Sequence, residues 1–284
     1  MNYQWYPGHM MKAKRMMQEN IKLVDLVIEL LDARIPISSR NPDIDELGKN
    51  KSRLVLLNKS DLADARCNKE WMEYFKQEGY TVLEMNSKTG AGIKAIQPAV
   101  REVCREKMER NRQRGIVNRP VRAIVAGIPN VGKSTFINSY AGKACTKTGN
   151  KPGVTKGKQW IRLSKELELL DTPGILWPKF EDPIVGKKLA LTGAIKDTLY
   201  AKDDVALYEI EEFNAKNPQA LIERYKLTPE TLELPTVEVL LEITKKLGFR
   251  DDYDRASERL IFDCRKGKLG RYTLDSVPKD PAKV

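Results

Sequence analysis

The sequence is poor in the groups that build metal centres and disulfide frameworks. It holds one histidine and four cysteines in 284 residues. Cys67, Cys104, Cys145 and Cys264 lie far apart with no metal-type spacing, so they read as free thiols of a reducing compartment. No apolar stretch approaches the roughly 20 residues that span a bilayer, and the start is polar. Neither a signal peptide nor a membrane partner is expected, and the expected location is the cytoplasm. Internal repeats and low-complexity segments are also missing. The length suits one large or two ordinary domains, with ample material for a core.

What the chain has in excess is positive charge, unevenly spread. Residues 1–178 contain 31 Lys and Arg against 19 Asp and Glu, a net of +12, whereas residues 179–284 contain 19 against 20, a net of −1. Lys143 to Lys165 carries seven basic residues and no acid, more than one nucleotide needs. That points to a polyanion, with RNA the leading candidate and DNA not expected. Arg101 to Arg122 is also basic, and two readings stand for it: RNA contact, or a solvated helix and linker.

The strongest local signal is Gly127-Ile128-Pro129-Asn130-Val131-Gly132-Lys133-Ser134. An apolar run, Ala123 to Ala126, feeds it, and the helix-compatible Ser134 to Tyr140 follows, as a phosphate-binding loop requires. Inward-pointing backbone N–H groups and the helix N-terminus favour phosphate. Lys133 would reach the outer phosphates and Ser134 would offer its hydroxyl to Mg²⁺. Asn130, Val131, Gly132 and Thr135 complete the loop's nucleotide contacts.

Upstream, Leu54 to Leu57 reads as a buried parallel strand that ends in Asn58-Lys59-Ser60-Asp61. Asp61 can accept two hydrogen bonds from the N1–H and 2-amino edge of guanine, an edge adenine lacks, and Asn58 can donate to the ring. Lys59 would lay its aliphatic stem along the purine while its ammonium stays near the phosphate loop. A second strand, Val82 to Met85, leads to Asn86-Ser87-Lys88, suited to the loop lying against the base. Leu167 to Leu170 reads as a strand ending in Asp171-Thr172-Pro173-Gly174. There Asp171 would hold Mg²⁺ through water and the Gly174 amide would approach the γ-phosphate. Thr155, between loop and strand, supplies a hydroxyl for closing over Mg²⁺.

The base-reading motif thus precedes the phosphate loop, the reverse of the usual order. This order, with Gln4-Trp5-Tyr6-Pro7-Gly8-His9-Met10 and Asp32-Ala33-Arg34-Ile35-Pro36, resembles the circularly permuted GTPases of the ribosome-biogenesis GTPase A family. The likeness runs from Gln4 to about Lys196. It implies an α/β fold: a doubly wound P-loop GTPase domain over residues 1–178, then a smaller, mainly helical domain over 179–284 that binds RNA or the ribosome. It also implies GTP hydrolysis in a late step of large (50S) subunit assembly, stimulated by the subunit, with the subunit precursor and its rRNA as partners. Two alternatives stay open: a GTPase of RNA modification or translation, and an RNA-binding module with negligible turnover.

Ras-like GTPases place a water-orienting Gln after the Gly of the second switch, and this chain has Ile175. The resemblance nominates His9 instead, either as a catalytic residue or as a packing residue beside Trp5 and Tyr6. Catalytic roles then fall to His9, Lys133, Thr155 and Gly174. GTPases with an Asn at position 130 of this loop include potassium-activated members, which makes K⁺ beside Asn130 a second expected cofactor after Mg²⁺. In the last hundred residues, Val237 to Ile243 and Ala256 to Cys264 have amphipathic spacing, and Arg265 to Arg271 forms a basic, Gly-containing turn.

Overall fold

The apolar runs of the first 178 residues become the strands of one sheet. The protein is described by a computed structural model over residues 8–116, 119–145, 159–172, 174–177 and 180–278. Helix α1 (Gly8–Asn20) precedes β1 (Leu26–Asp32), α2 (Pro42–Leu47), β2 (Ser52–Asn58), α3 (Ala65–Gln77), β3 (Thr81–Glu84), α4 (Ile96–Val103) and α5 (Arg105–Gln113). Then follow β4 (Val121–Ala126), α6 (Lys133–Ala141), β5 (Gln159–Arg162) and β6 (Leu167–Asp171). The sheet order is β3-β2-β1-β4-β6-β5, with β5 alone antiparallel.

Helices cover both faces, as a parallel sheet requires. On one face Ala13 and Met17 of α1 and Ile44 of α2 pack on Val27, Ile124, Ala126 and Leu170. Beside them Trp71, Tyr74 and Phe75 of α3 pack on Leu31, Val55, Leu57 and Val82. Asp64 starts α3 by accepting the N–H groups of Arg66 and Cys67, a cap worth about 1 kcal/mol. On the other face α4 lies against β2 and β3, and α6 against β6. From β1 the chain winds outward through β2 and β3, and from β4 in the opposite direction. The reversal between β1 and β4 opens the crevice in which such sheets bind ligands, at the carboxyl ends of the strands.

The second unit is helical: α7 (Pro183–Thr192), α8 (Lys202–Lys216), α9 (Pro218–Tyr225), α10 (Thr236–Lys246) and α11 (Tyr253–Arg265). Prolines 183 and 218 occupy first helical positions, where a missing N–H costs nothing. The two amphipathic runs expected near the C-terminal end lie in α10 and α11, which pack with α8.

One boundary differs from the sequence reading, which ran the second domain to 284. Among the described residues, 275–278 belong to the first unit and 180–274 to the second. The cause is specific. The Asp275 carboxylate accepts the Ser38 N–H at 2.8 Å and the Ser38 hydroxyl at 2.7 Å, and Val277 packs against the α3 cluster.

Candidate functional site

Three loops meet at the crevice. β4 ends in the phosphate loop, β2 ends in Asn58-Lys59-Ser60-Asp61, and β3 leads to Asn86-Ser87-Lys88. Asn58, 2% exposed, ties them together. Its Nδ2 donates to Val131 O at 2.7 Å in the phosphate loop, and its Oδ1 accepts Ser87 N–H and Ser87 Oγ, both at 2.9 Å. The ring donor expected from sequence is therefore also a structural bridge. Gly132 is needed beside it: φ is +108°, and a Cβ there would stand 2.4 Å from Asn58 Nδ2.

The other members of the base side fall close by. Ser60 N–H donates to Met85 O at 3.2 Å, and Asp61 is exposed at the loop's tip. Asn86 is buried and folds its own loop, its Oδ1 accepting the N–H groups of Lys88 at 2.9 Å and Thr89 at 3.2 Å. Lys88 is exposed. The Lys59 ammonium sits 2.8 Å from the Asp32 carboxylate at the end of β1, a partner that the sequence did not indicate.

On the phosphate side Lys133 is buried, its Nζ donating to Gly127 O at 3.0 Å and Ile128 O at 2.8 Å. These carbonyls hold the ammonium inside the loop, where phosphoryl oxygens would be reached. Asn130 takes a left-handed φ of +57°, while Val131 is fully buried and Ser134 and Thr135 are half-buried on the first turn of α6. Gly174 touches the loop: a Cβ there would meet Pro129 Cα at 2.6 Å and Lys133 Nζ at 2.9 Å. Asp171 is the last residue of β6, opposite Val125, and its side chain lies outside the described ones. Thr155 lies outside the described residues, and His9 is in α1 with its side chain likewise outside.

Ile175 is part of the core. It is 2% exposed and clusters with Ala13, Met17 and Ile44. Its N–H donates to Gly127 O at 3.3 Å, and its carbonyl accepts Asn41 Nδ2 at 3.1 Å. Asn41, fully buried, also caps α2. Sequence reasoning gave no role to Asn41, Ser39 or Thr172, whose hydroxyl donates to Val125 O at 2.6 Å. Their only signal is a short polar side chain next to a strand or helix end.

In the helical unit the basic turn is partly internal. Arg265 donates to the carbonyls of Ala190 at 2.7 Å and Leu191 at 3.0 Å near the end of α7, and pairs with Asp197. It thus places a cation and further donors at the carbonyls of a helix C-terminus, where positive charge is favoured. Lys266 and Lys268 stand over the ring of Phe262, at 5.6 and 5.1 Å from its centroid, and Lys268 also pairs with the buried Asp263 at 3.2 Å; Phe262 is 46% exposed.

Comparison with known proteins agrees with this geometry. The family described as 50S ribosome-binding GTPase matches residues 122–240. A Bacillus cereus protein named ribosome biogenesis GTPase A is 49% identical over 96% of this chain and 93% of its own length. The mitochondrial ribosome-associated GTPase 1 of Xenopus tropicalis is 33% identical over 95% of this chain and 94% of its own. A solved structure, GNP-bound YlqF from T. maritima, superimposes with a TM-score of 0.66 at 26% identity, covering 95% of this chain and 99% of that one.

Proposed function

We propose a role in maturation of the large ribosomal subunit from one premise: the chain belongs to the ribosome biogenesis GTPase A family. It is a circularly permuted GTPase that cleaves GTP to GDP and phosphate, and a ribosome-assembly factor. The finer reading is that it acts at a late step of 50S assembly and that the subunit stimulates its turnover.

The observation that carries this reading is the burial of Ile175. Where a water-orienting side chain would follow Gly174, the chain turns into the core and is held there from both backbone sides. Such a site binds and positions GTP but leaves the attacking water without an orienting group. Turnover is therefore slow until something completes the site, as in GTPases completed in trans.

In the bound state Lys133 moves from loop carbonyls to the β- and γ-phosphoryl oxygens, and Asp61 reads guanine. Ser134, Thr155 and Asp171 are hard oxygen donors suited to Mg²⁺, which supplies positive charge at the oxygens where negative charge develops. Asn130 is the candidate to hold K⁺ for the same purpose. His9 is the candidate to orient water; Ala13 and Met17 of the same helix pack in the Ile175 cluster.

The partner chemistry is that of rRNA. The net +12 of residues 1–178 supports it, as does Lys266 beside the exposed Phe262. Among the described residues no helix is long and apolar enough to cross a membrane; the proposed location is the cytoplasm. The test is GTP turnover alone and with purified 50S subunits and their precursors. We expect stimulation beyond about tenfold and binding that weakens steeply with salt. Unchanged turnover, or sedimentation with the small subunit instead, refutes the reading.

A further inference from the structure

The segment Asp32-Ala33-Arg34 carries no task in the nucleotide chemistry above, yet its charges are among the most deeply buried in the chain. Asp32 is 1% and Arg34 2% exposed. Asp32 ends β1 opposite Asn58 at the end of β2, and the Ala33 N–H donates to Asn58 O at 2.9 Å. The motif is thus built onto the base-reading loop.

The carboxylate of Asp32 is saturated. Oδ1 accepts Arg34 Nε at 2.9 Å and the Arg34 N–H at 3.2 Å; Oδ2 accepts Arg34 Nη2 at 2.7 Å and Lys59 Nζ at 2.8 Å. Four acceptor sites are all a carboxylate offers, and the two-pronged guanidinium contact fixes its plane. Burial alone would raise its pKa, but the charges of Arg34 and Lys59 outweigh this and hold it well below the usual carboxylate range. The backbone is fixed as well, the Asp32 N–H donating to Ser39 Oγ at 3.0 Å.

We propose that Asp32 and Arg34 are positioning residues for the purine: they pin the ammonium of Lys59 and so fix its methylene stem as a rigid shelf for the base. This rests on the reading of Asn58-Lys59-Ser60-Asp61 as the base site. Lys59 has a left-handed φ of +61°, disfavoured for a side chain with a Cβ and kept only where the surroundings impose it. Its side chain is 23% exposed with the charged end turned inward, which leaves the stem as the part available to a ligand. A lysine that is ordered before the nucleotide arrives loses little freedom on binding. Because a methylene shelf supports any purine, the Asp32–Arg34 pair governs affinity while Asp61 governs the choice of base.

The experiment is a double-mutant cycle on GDP affinity in the full chain, with melting of the nucleotide-free protein alongside. Lys59→Met keeps an apolar stem, removes the ammonium and leaves the Asp32–Arg34 pair intact. It should weaken GDP and inosine diphosphate by the same factor, about tenfold. Asp32→Asn should weaken GDP similarly, and adding it to Lys59→Met should weaken binding no further. Should Asp32→Asn fail to fold, Arg34→Lys, which keeps the charge but loses the fork, takes its place with a smaller loss. If Lys59→Ala binds GDP normally, the base-site reading itself fails. If Lys59→Ala is weak while Lys59→Met and Asp32→Asn bind normally, or if the losses simply add, the positioning role is overturned.

Discussion

Removing the Asn58 side chain tests the construction of the site. In Asn58→Ala three hydrogen bonds vanish at once, those to Val131 O, Ser87 N and Ser87 Oγ. At about 1 kcal/mol net each, the cost is about 3 kcal/mol. For a unit of this size that is a fall of about 6–12 °C in the melting temperature of the nucleotide-free protein. GDP affinity should fall as well, since the phosphate loop is no longer tied to the loop at Ser87. Ser87→Ala loses only the hydroxyl bond and should cost about 1 kcal/mol. Asn58→Asp separates shape from chemistry: it keeps both acceptor bonds to Ser87 but places an anionic oxygen against Val131 O. At neutral pH it should be at least as damaging as alanine. Thermal melting with GDP titration decides the matter. An Asn58→Ala protein that melts within about 1 °C of the parent, or an Asn58→Asp protein as stable as the parent, refutes the bridge.

Asp61→Asn should lower guanine nucleotide affinity and raise that for xanthosine diphosphate, whose 2-carbonyl can accept from the new amide; competition binding with the two diphosphates reads the switch. Glu29, fully buried in β1, has its pKa pushed up to about 7 by burial, offset in part by Arg53 and Arg40. The folded state therefore keeps a proton that the unfolded chain, near 4.5, has lost, so stability should decline as pH rises from about 4.5 through 7, by about 3 kcal/mol. Urea melts across that range should show the decline, and Glu29→Gln should flatten it. In α8, Glu209 is fully buried, and burial with the nearby Asp263 pushes its pKa well up against the pull of Arg265. Glu209→Leu should stabilise the helical unit by about 1–3 kcal/mol, and a lower melting temperature would count against that assignment. His9→Ala should leave GTP affinity near that of the parent but lower subunit-stimulated turnover; intact stimulation would remove His9 from the mechanism.

Much of the first unit was legible because buried parallel strands are short apolar runs: three of the four named runs lie within strands ending at the crevice, and the fourth, Val82 to Met85, overruns β3 by one residue. β1 was harder. Glu29 interrupts its run, and only the tertiary placement of Arg53 and Arg40 makes that charge tolerable inside a sheet. The segments expected to hold phosphate and base stand out because each is a run of neighbouring residues. The bridge through Asn58 and the anchoring of Lys59 by Asp32 do not, since they join residues 73 and 27 positions apart. The basic turn misled in part. Charge in a sequence does not reveal that Arg265 is spent on the carbonyls ending α7 while Lys266 is turned to an exposed ring.

The return of residues 275–278 to the first unit has a consequence for synthesis. Ser38 is buried with its N–H and hydroxyl both committed to Asp275, and the α3 cluster is finished by Val277. A chain emerging from the ribosome makes every strand of the sheet by residue 171, then about a hundred more residues before this closing contact exists. At about 5–20 residues per second that is an interval of about 5–20 s. During it the loop after β1 faces water at a place meant to be dry. The GTPase unit is thus completed only after the helical unit has been translated, so a truncated product ending before residue 275 would leave the nucleotide site's own support unfinished.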